Sequence, residues 1–202
     1  MKYLVLMIKF VSTILLIHFM ASCASTGKKD DIEVRDIEIN EEYGVDDAIN
    51  ESFTKAVQHI KNEQYNEAIT LLLEVTDQSK KHSAPYVNLG IAYLKLGKIH
   101  ESEESFLKAL KINPDHPVTN NELGIVYRKS GRFSEAKTAY LHVLKNFPLF
   151  LPARKNIAIL CDLFMKDLEC AIEHYNEYLK LKPNDKKVNI WLTDVKRRAG
   201  VK

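Results

Sequence analysis

The chain has 202 residues, 46% of them hydrophobic and 28% charged, with a net charge of +2. That is enough for one globular domain with appendages, and it lacks the bias of a wholly disordered or multiply membrane-spanning chain. Setting aside the two lysines of the first 22 residues leaves 27 bases against 27 acids, so no basic excess points to nucleic acid.

Residues 1–22 open with Lys2 and Lys9, run through an apolar core from Phe10 to Met20, and end in small Ala21 and Ser22 before Cys23. The apolar run is shorter than the about 20 residues a bilayer span needs, which predicts a cleaved export signal. Met20-Ala21-Ser22-Cys23 resembles the lipobox of bacterial lipoproteins, with Met20 where Leu is usual. The resemblance implies that Cys23 becomes an acylated N-terminus, and several acyl chains at about 0.8 kcal/mol per buried methylene give stable attachment. In such lipoproteins an Asp after the cysteine holds the protein at the inner membrane. Ala24 therefore implies a periplasm-facing anchor in the outer membrane.

Residues 23–48 read as an acidic tether. From Ser25 to Ala48 nine acids face only Lys28, Lys29 and Arg35, while the remainder from Ile49 holds 18 acids and 24 bases. With few large apolar side chains and no helical stripe, the tether is expected to lack stable structure of its own, although Ile32, Val34, Ile37 and Ile39 could pair as a short strand with a partner.

From Ile49 onward the chain repeats itself. LGIAYLKLG at Leu89–Gly97 returns 34 residues later as LGIVYRKSG at Leu123–Gly131, and further columns share the register: Ala68, Ser102, Ala136 and Ala171; Leu72, Phe106, Tyr140 and Tyr175; Lys80, Pro114, Pro148 and Pro183. Such self-similarity marks a stack of helix pairs with units at 49–82, 83–116, 117–150 and 151–183. The pattern resembles the tetratricopeptide repeat. It implies an all-α right-handed superhelix of antiparallel helix pairs, four repeats closed by a capping helix over 184–202, which Asn184 would cap and Val188, Trp191, Leu192 and Val195 would seat. Gly90 and Gly124 are expected to let the first helix press on small Ser102 and Ala136, and Gly97 and Gly131 to form the turns. The first unit has Glu63 and Lys80 where the others have Gly and Pro, and the fourth carries an extra residue between Ile157 and Ala171.

The first helices of such a stack line a concave face. Packing within pairs leaves Phe53, Val57, Ile60, Val87, Ile91, Leu94, Val118, Ile125 and Ile159 unexplained, with Asn121, Arg128, Lys129 and Lys155 among them. They read either as a groove for a partner's helix or extended segment, or as packing between neighbouring first helices, or as a seat for the acidic tether. Asn88 and Asn156 fall at an asparagine common among chaperone-binding relatives, without the rest of their carboxylate clamp. Cys161 and Cys170 are either a disulfide or two small core residues. Cys170 and His174, four apart, supply no fourth ligand with Cys161, so no metal is expected. There is no phosphate-cradling glycine loop and no nucleophile elbow. No cofactor and no enzymatic activity follow. The whole is similar to small tetratricopeptide lipoproteins that assemble or stabilise envelope machines such as pilus secretins, and to repeat proteins accompanying energy-coupled outer-membrane transport. The resemblance implies a lipid-anchored periplasmic scaffold whose partner is another envelope protein. The alternative is a module binding peptidoglycan or a small ligand.

Overall fold

The computed structural model describes residues 47–201. The leader, Cys23 and the tether up to residue 46 lie outside the described residues. Four helix pairs follow in order: α1 (Asp47–Lys61) with α2 (Tyr65–Gln78), α3 (Ser83–Lys95) with α4 (Ile99–Ile112), α5 (Pro117–Lys129) with α6 (Phe133–Asn146), and α7 (Leu151–Ile159) with α8 (Leu168–Leu181). Helix α7 runs on as a π-helical stretch, Leu160–Met165, and α9 (Lys186–Ala199) closes the chain. The first helix begins two residues before the expected boundary at Ile49, which puts Asp47 in its first turn, where an acid complements the helix dipole.

Periodicity explains each second helix. In α2 the buried residues are Ala68, Ile69, Leu72, Val75 and Thr76, spaced one, four and seven apart, while Asn66, Glu67, Thr70 and Glu74 face solvent. Pro114, Pro148 and Pro183 each stand two residues past the end of a second helix, where a ring without an N–H forbids continuation. Gly97 and Gly131 adopt φ of +73° and +74°, and behind them Lys98 N donates to Tyr93 O and Arg132 N to Tyr127 O, both at 2.9 Å. Glu63 (φ +60°) and Lys166 (φ +59°) take the left-handed place in the outer repeats, where an L side chain costs about 1 kcal/mol.

Gly90 and Gly124 do permit close approach, but chiefly to an aromatic ring. A Cβ on Gly90 would lie 2.6 Å from the Phe106 ring, and one on Gly124 would collide with the Tyr140 ring. The expected small-on-small contact survives as a hydrogen bond, Ser102 Oγ donating to Gly90 O at 2.8 Å. A ring wins the space because it buries far more apolar area than a methyl or hydroxymethyl group.

Contacts are local along the stack. Each helix packs on its pair mate and on the next pair, and consecutive first helices adjoin, α1 with α3, α3 with α5, α5 with α7. One continuous surface is thus built from first helices. At the far end α9 buries Val188, Leu192 and Val195. Its N-cap is Asp185 rather than Asn184. The Asp185 carboxylate accepts from Lys187 N and Val188 N at 3.1 Å and from the Tyr178 hydroxyl at 2.9 Å. An amide one residue earlier would be out of reach of those donors.

Candidate functional site

The surface shared by α1, α3, α5 and α7 is where the expected groove residues lie, and the structure divides them. Phe53 and Val57 are buried with Ala84 and Leu89, Val87 with Phe106 and Val126, and Val118 with Ala153 and Ile157. These four, and buried Asn121, pack the junctions between repeats and do not line an open groove. Neighbouring first helices flank each of them, so an apolar position there is covered from the side. Ile60, Ile91, Leu94, Ile125 and Ile159 are half-buried at the edges of the same clusters. Lys129 is exposed and Arg128 half-buried. Lys155 is drawn away, its ammonium 5.6 Å from the Tyr178 ring centroid on the side where Asp185 sits.

A polar strip crosses the first helices beside the aliphatic row. Asn156 Nδ2 donates to Asn121 Oδ1 at 2.9 Å, and Asn121 Nδ2 donates to Glu122 Oε1 at 3.0 Å. Burial pushes the Glu122 carboxyl up, opposed by the Asn121 hydrogen bond and by Lys95 on α3. Asn88 turns inward and donates to Ala84 O on its own helix at 2.9 Å. The two asparagines of the common column therefore have different jobs, one capturing a neighbouring helix and one satisfying its own.

At the α5–α7 junction the guanidinium of Arg128 lies 5.3 Å from the Phe164 ring centroid, and Phe164 is itself 5.3 Å from Phe133. Tyr140 is fully buried, and burial pushes its phenol up to about 12. Neither Tyr140 Oη nor Arg128 Nε has a hydrogen-bond partner. One repeat further, Tyr175 Oη donates to Asp162 Oδ2 at 3.5 Å and Arg198 of α9 pairs with the same buried carboxylate. Sequence reading missed Tyr140, Glu122, Asp162, Leu163 and Phe164. A column comparison held the signal for two of them: Asp162 stands 34 residues after Arg128 with the opposite charge, and Tyr140 replaces the phenylalanine of the preceding repeat.

Cys161 and Cys170 are joined as a disulfide across the π-helical turn, with Cα atoms 5.9 Å apart. Asp167 brings a carboxylate oxygen within 4.8 Å of both sulfurs. Sulfurs bonded to each other are not thiolate ligands, so the trio is not a metal centre in this form. A cleft of about 490 Å³ lies on a different face of α5, lined by Leu123, Tyr127, Thr138 and His142 among others. Among the described residues no helix is long and apolar enough to cross a membrane.

No curated protein matches the sequence. Among solved structures the chain is similar to a double mutant titled MamA RS-1 ArsTM (TM-score 0.69, 23% identity, 76% of this chain and 86% of that one) and to MamA from residue 41 to the end from Desulfovibrio magneticus RS-1 (0.70, 22%, 77% and 87%). It is also similar to MamA AMB-1 (0.64, 25%, 77% and 85%). The first two likenesses, at such identity, speak to the fold alone. Two family models described as tetratricopeptide repeat match residues 81–148 and 121–186. Together they span just over half of the sequence, in the register of the helix pairs, and the chain belongs to the tetratricopeptide repeat family.

Proposed function

We propose that this protein is a lipid-anchored adaptor of a bacterial envelope, tethered at the periplasmic side of the outer membrane, which holds a segment of another envelope protein on its first-helix surface. A protein-interaction role follows from membership of the tetratricopeptide family. The observation that carries the site is the row of half-buried Ile60, Ile91, Leu94, Ile125 and Ile159 along adjoining first helices, with Arg128 and Lys129 at its side. Aliphatic edges that are neither closed over nor fully solvated suit a partner's apolar side chains. The anchor and address are argued from sequence: the export signal, Cys23 after Ala21-Ser22, and Ala24.

Crosslinking in living cells, with purification through a C-terminal tag and mass spectrometry, tests this on wild type, Cys23→Ala, and Ile91→Asp with Ile125→Asp. The expected result is one dominant envelope partner, lost in the Ile91/Ile125 variant while its helical signal and melting are kept, and a Cys23→Ala protein released from the membrane fraction. Unchanged capture by the Ile91/Ile125 variant overturns the groove. A Cys23→Ala protein that stays in the membrane overturns the anchor.

A further inference from the structure

We propose that Arg128 and Tyr140 form a carboxylate-binding subsite on the first-helix surface, walled by Phe164 and Leu163, so that the partner segment carries an aspartate or glutamate beside an apolar residue. This rests on the reading of that surface as a partner-binding face.

The fourth repeat supplies the internal comparison. There a column tyrosine, Tyr175, and an arginine, Arg198, converge on the carboxylate of Asp162, so all three groups are satisfied. In the third repeat the column tyrosine is Tyr140, and the position 34 residues before Asp162 is Arg128. The donors are present and no carboxylate of the described residues accepts from them: Tyr140 Oη and Arg128 Nε are both buried without a partner. Arg132, Arg197 and Arg198, by contrast, each hold an acid. Glu122, whose field reaches Tyr140, is hydrogen-bonded to Asn121 instead.

Two buried donors at one junction ask for one acceptor, because an unmatched buried donor forfeits the water it would otherwise bind. A carboxylate answers both and gains a charge-assisted bond from the guanidinium. The arginine is already held in place by its stack on Phe164. The glycine at 124 is part of the same device: with no Cβ in the way, the Tyr140 ring lies directly against α5, the helix that carries Arg128 one turn further on. Phe106 fills the equivalent place in the second repeat and has no hydroxyl to offer. Leu163, 55% exposed, and Phe164, 38% exposed, are carried outward by the π-helical turn and supply the apolar wall. Exposed Lys129 adds positive charge at the rim.

The test is selection of a phage-displayed random peptide library on the purified mature chain, followed by affinity measurement of the selected peptides on Tyr140→Phe, Arg128→Gln and Ile91→Asp with Ile125→Asp. Tyr140→Phe removes only an unpartnered hydroxyl and keeps the ring, so its melting temperature should match or exceed wild type. The expected result is that selected peptides share an Asp or Glu next to an apolar residue and lose about tenfold or more in affinity on both Tyr140→Phe and Arg128→Gln. Peptides that lack an acid, or that bind Tyr140→Phe as tightly as wild type while failing on the Ile91/Ile125 variant, overturn the subsite and leave the groove standing. A selection that yields no binder, or binders indifferent to all three variants, overturns both.

Discussion

His174 lies on α8, 8% exposed, with Nδ1 buried and without a hydrogen-bond partner. Burial holds its imidazole below the ordinary 6.5; Arg154 and Lys137 push the same way, and Glu173 and Glu177 oppose them. A base whose pKa is depressed by folding binds fewer protons folded than unfolded. Its share of stability is therefore complete above 6.5 and declines as pH falls through that value toward the folded pKa. Asp185 works in a lower window. The Val188 N–H holds its carboxyl below the ordinary 3.8, so the stability it lends is present above that value and lost as the pH falls below it. A loss between about pH 7 and about pH 5 belongs to the imidazole rather than to the cap. We expect the urea midpoint of wild type to fall across that interval and His174→Gln to flatten the fall. Equal slopes for the two proteins would refute a buried neutral histidine.

The fourth helix pair shows what an extra residue does to a repeating element. The break in the 34-residue spacing between Ile157 and Ala171 is visible in the sequence, but periodicity cannot say whether an insertion lengthens a turn or widens a helix. The chain widens: Leu160–Met165 is π-helical, Asp167 N donates back to Cys161 O at 2.9 Å, and Lys166 occupies the left-handed position without a glycine's freedom. The spacing of Cys161 and Cys170 was equally mute, since nine residues across a hairpin suit either a bond or two core thiols. In the structure their bond ties the widened turn to α8, beside Asp162, which Arg198 uses to hold α9. Closing a loop of nine residues stabilises by about 2–3 kcal/mol in the chain-entropy account. Cys161→Ser with Cys170→Ser should lose about that much in chemical denaturation. Hydrogen exchange should place the loss in α7, α8 and α9. Protection there equal to wild type would show that the bond contributes nothing beyond the packing around it.

Along the whole stack, what the sequence conveyed well was everything that depends on a helix and its own partner: the pairs, their glycine turns, their proline ends. What it conveyed poorly depends on the next pair along. Val87 and Ile91 are both apolar and one turn apart on α3, yet Val87 is sealed in the junction with α4 and α5 while Ile91 stays at an edge. A helical wheel records which side a residue faces and not how far a neighbour reaches over it. The same nearest-neighbour construction governs stability, because a stack whose contacts stop at the adjoining repeats gains from each interface separately. The last interface is the one α9 makes, covering Tyr175 with Trp191 at a centroid distance of 6.1 Å and neutralising buried Asp162 with Arg198. A chain stopped after Pro183 would expose that apolar end and leave Asp162 buried without its cation, and removing one partner of a buried pair costs about 3 kcal/mol or more. We expect such a truncation to lose hydrogen-exchange protection in α7 and α8, to keep it in α1 to α4, and to unfold over a broadened transition. A single sharp transition with protection lowered equally in all helices would mean that the repeats unfold as one unit, and that the cap stabilises the first pair as much as the fourth.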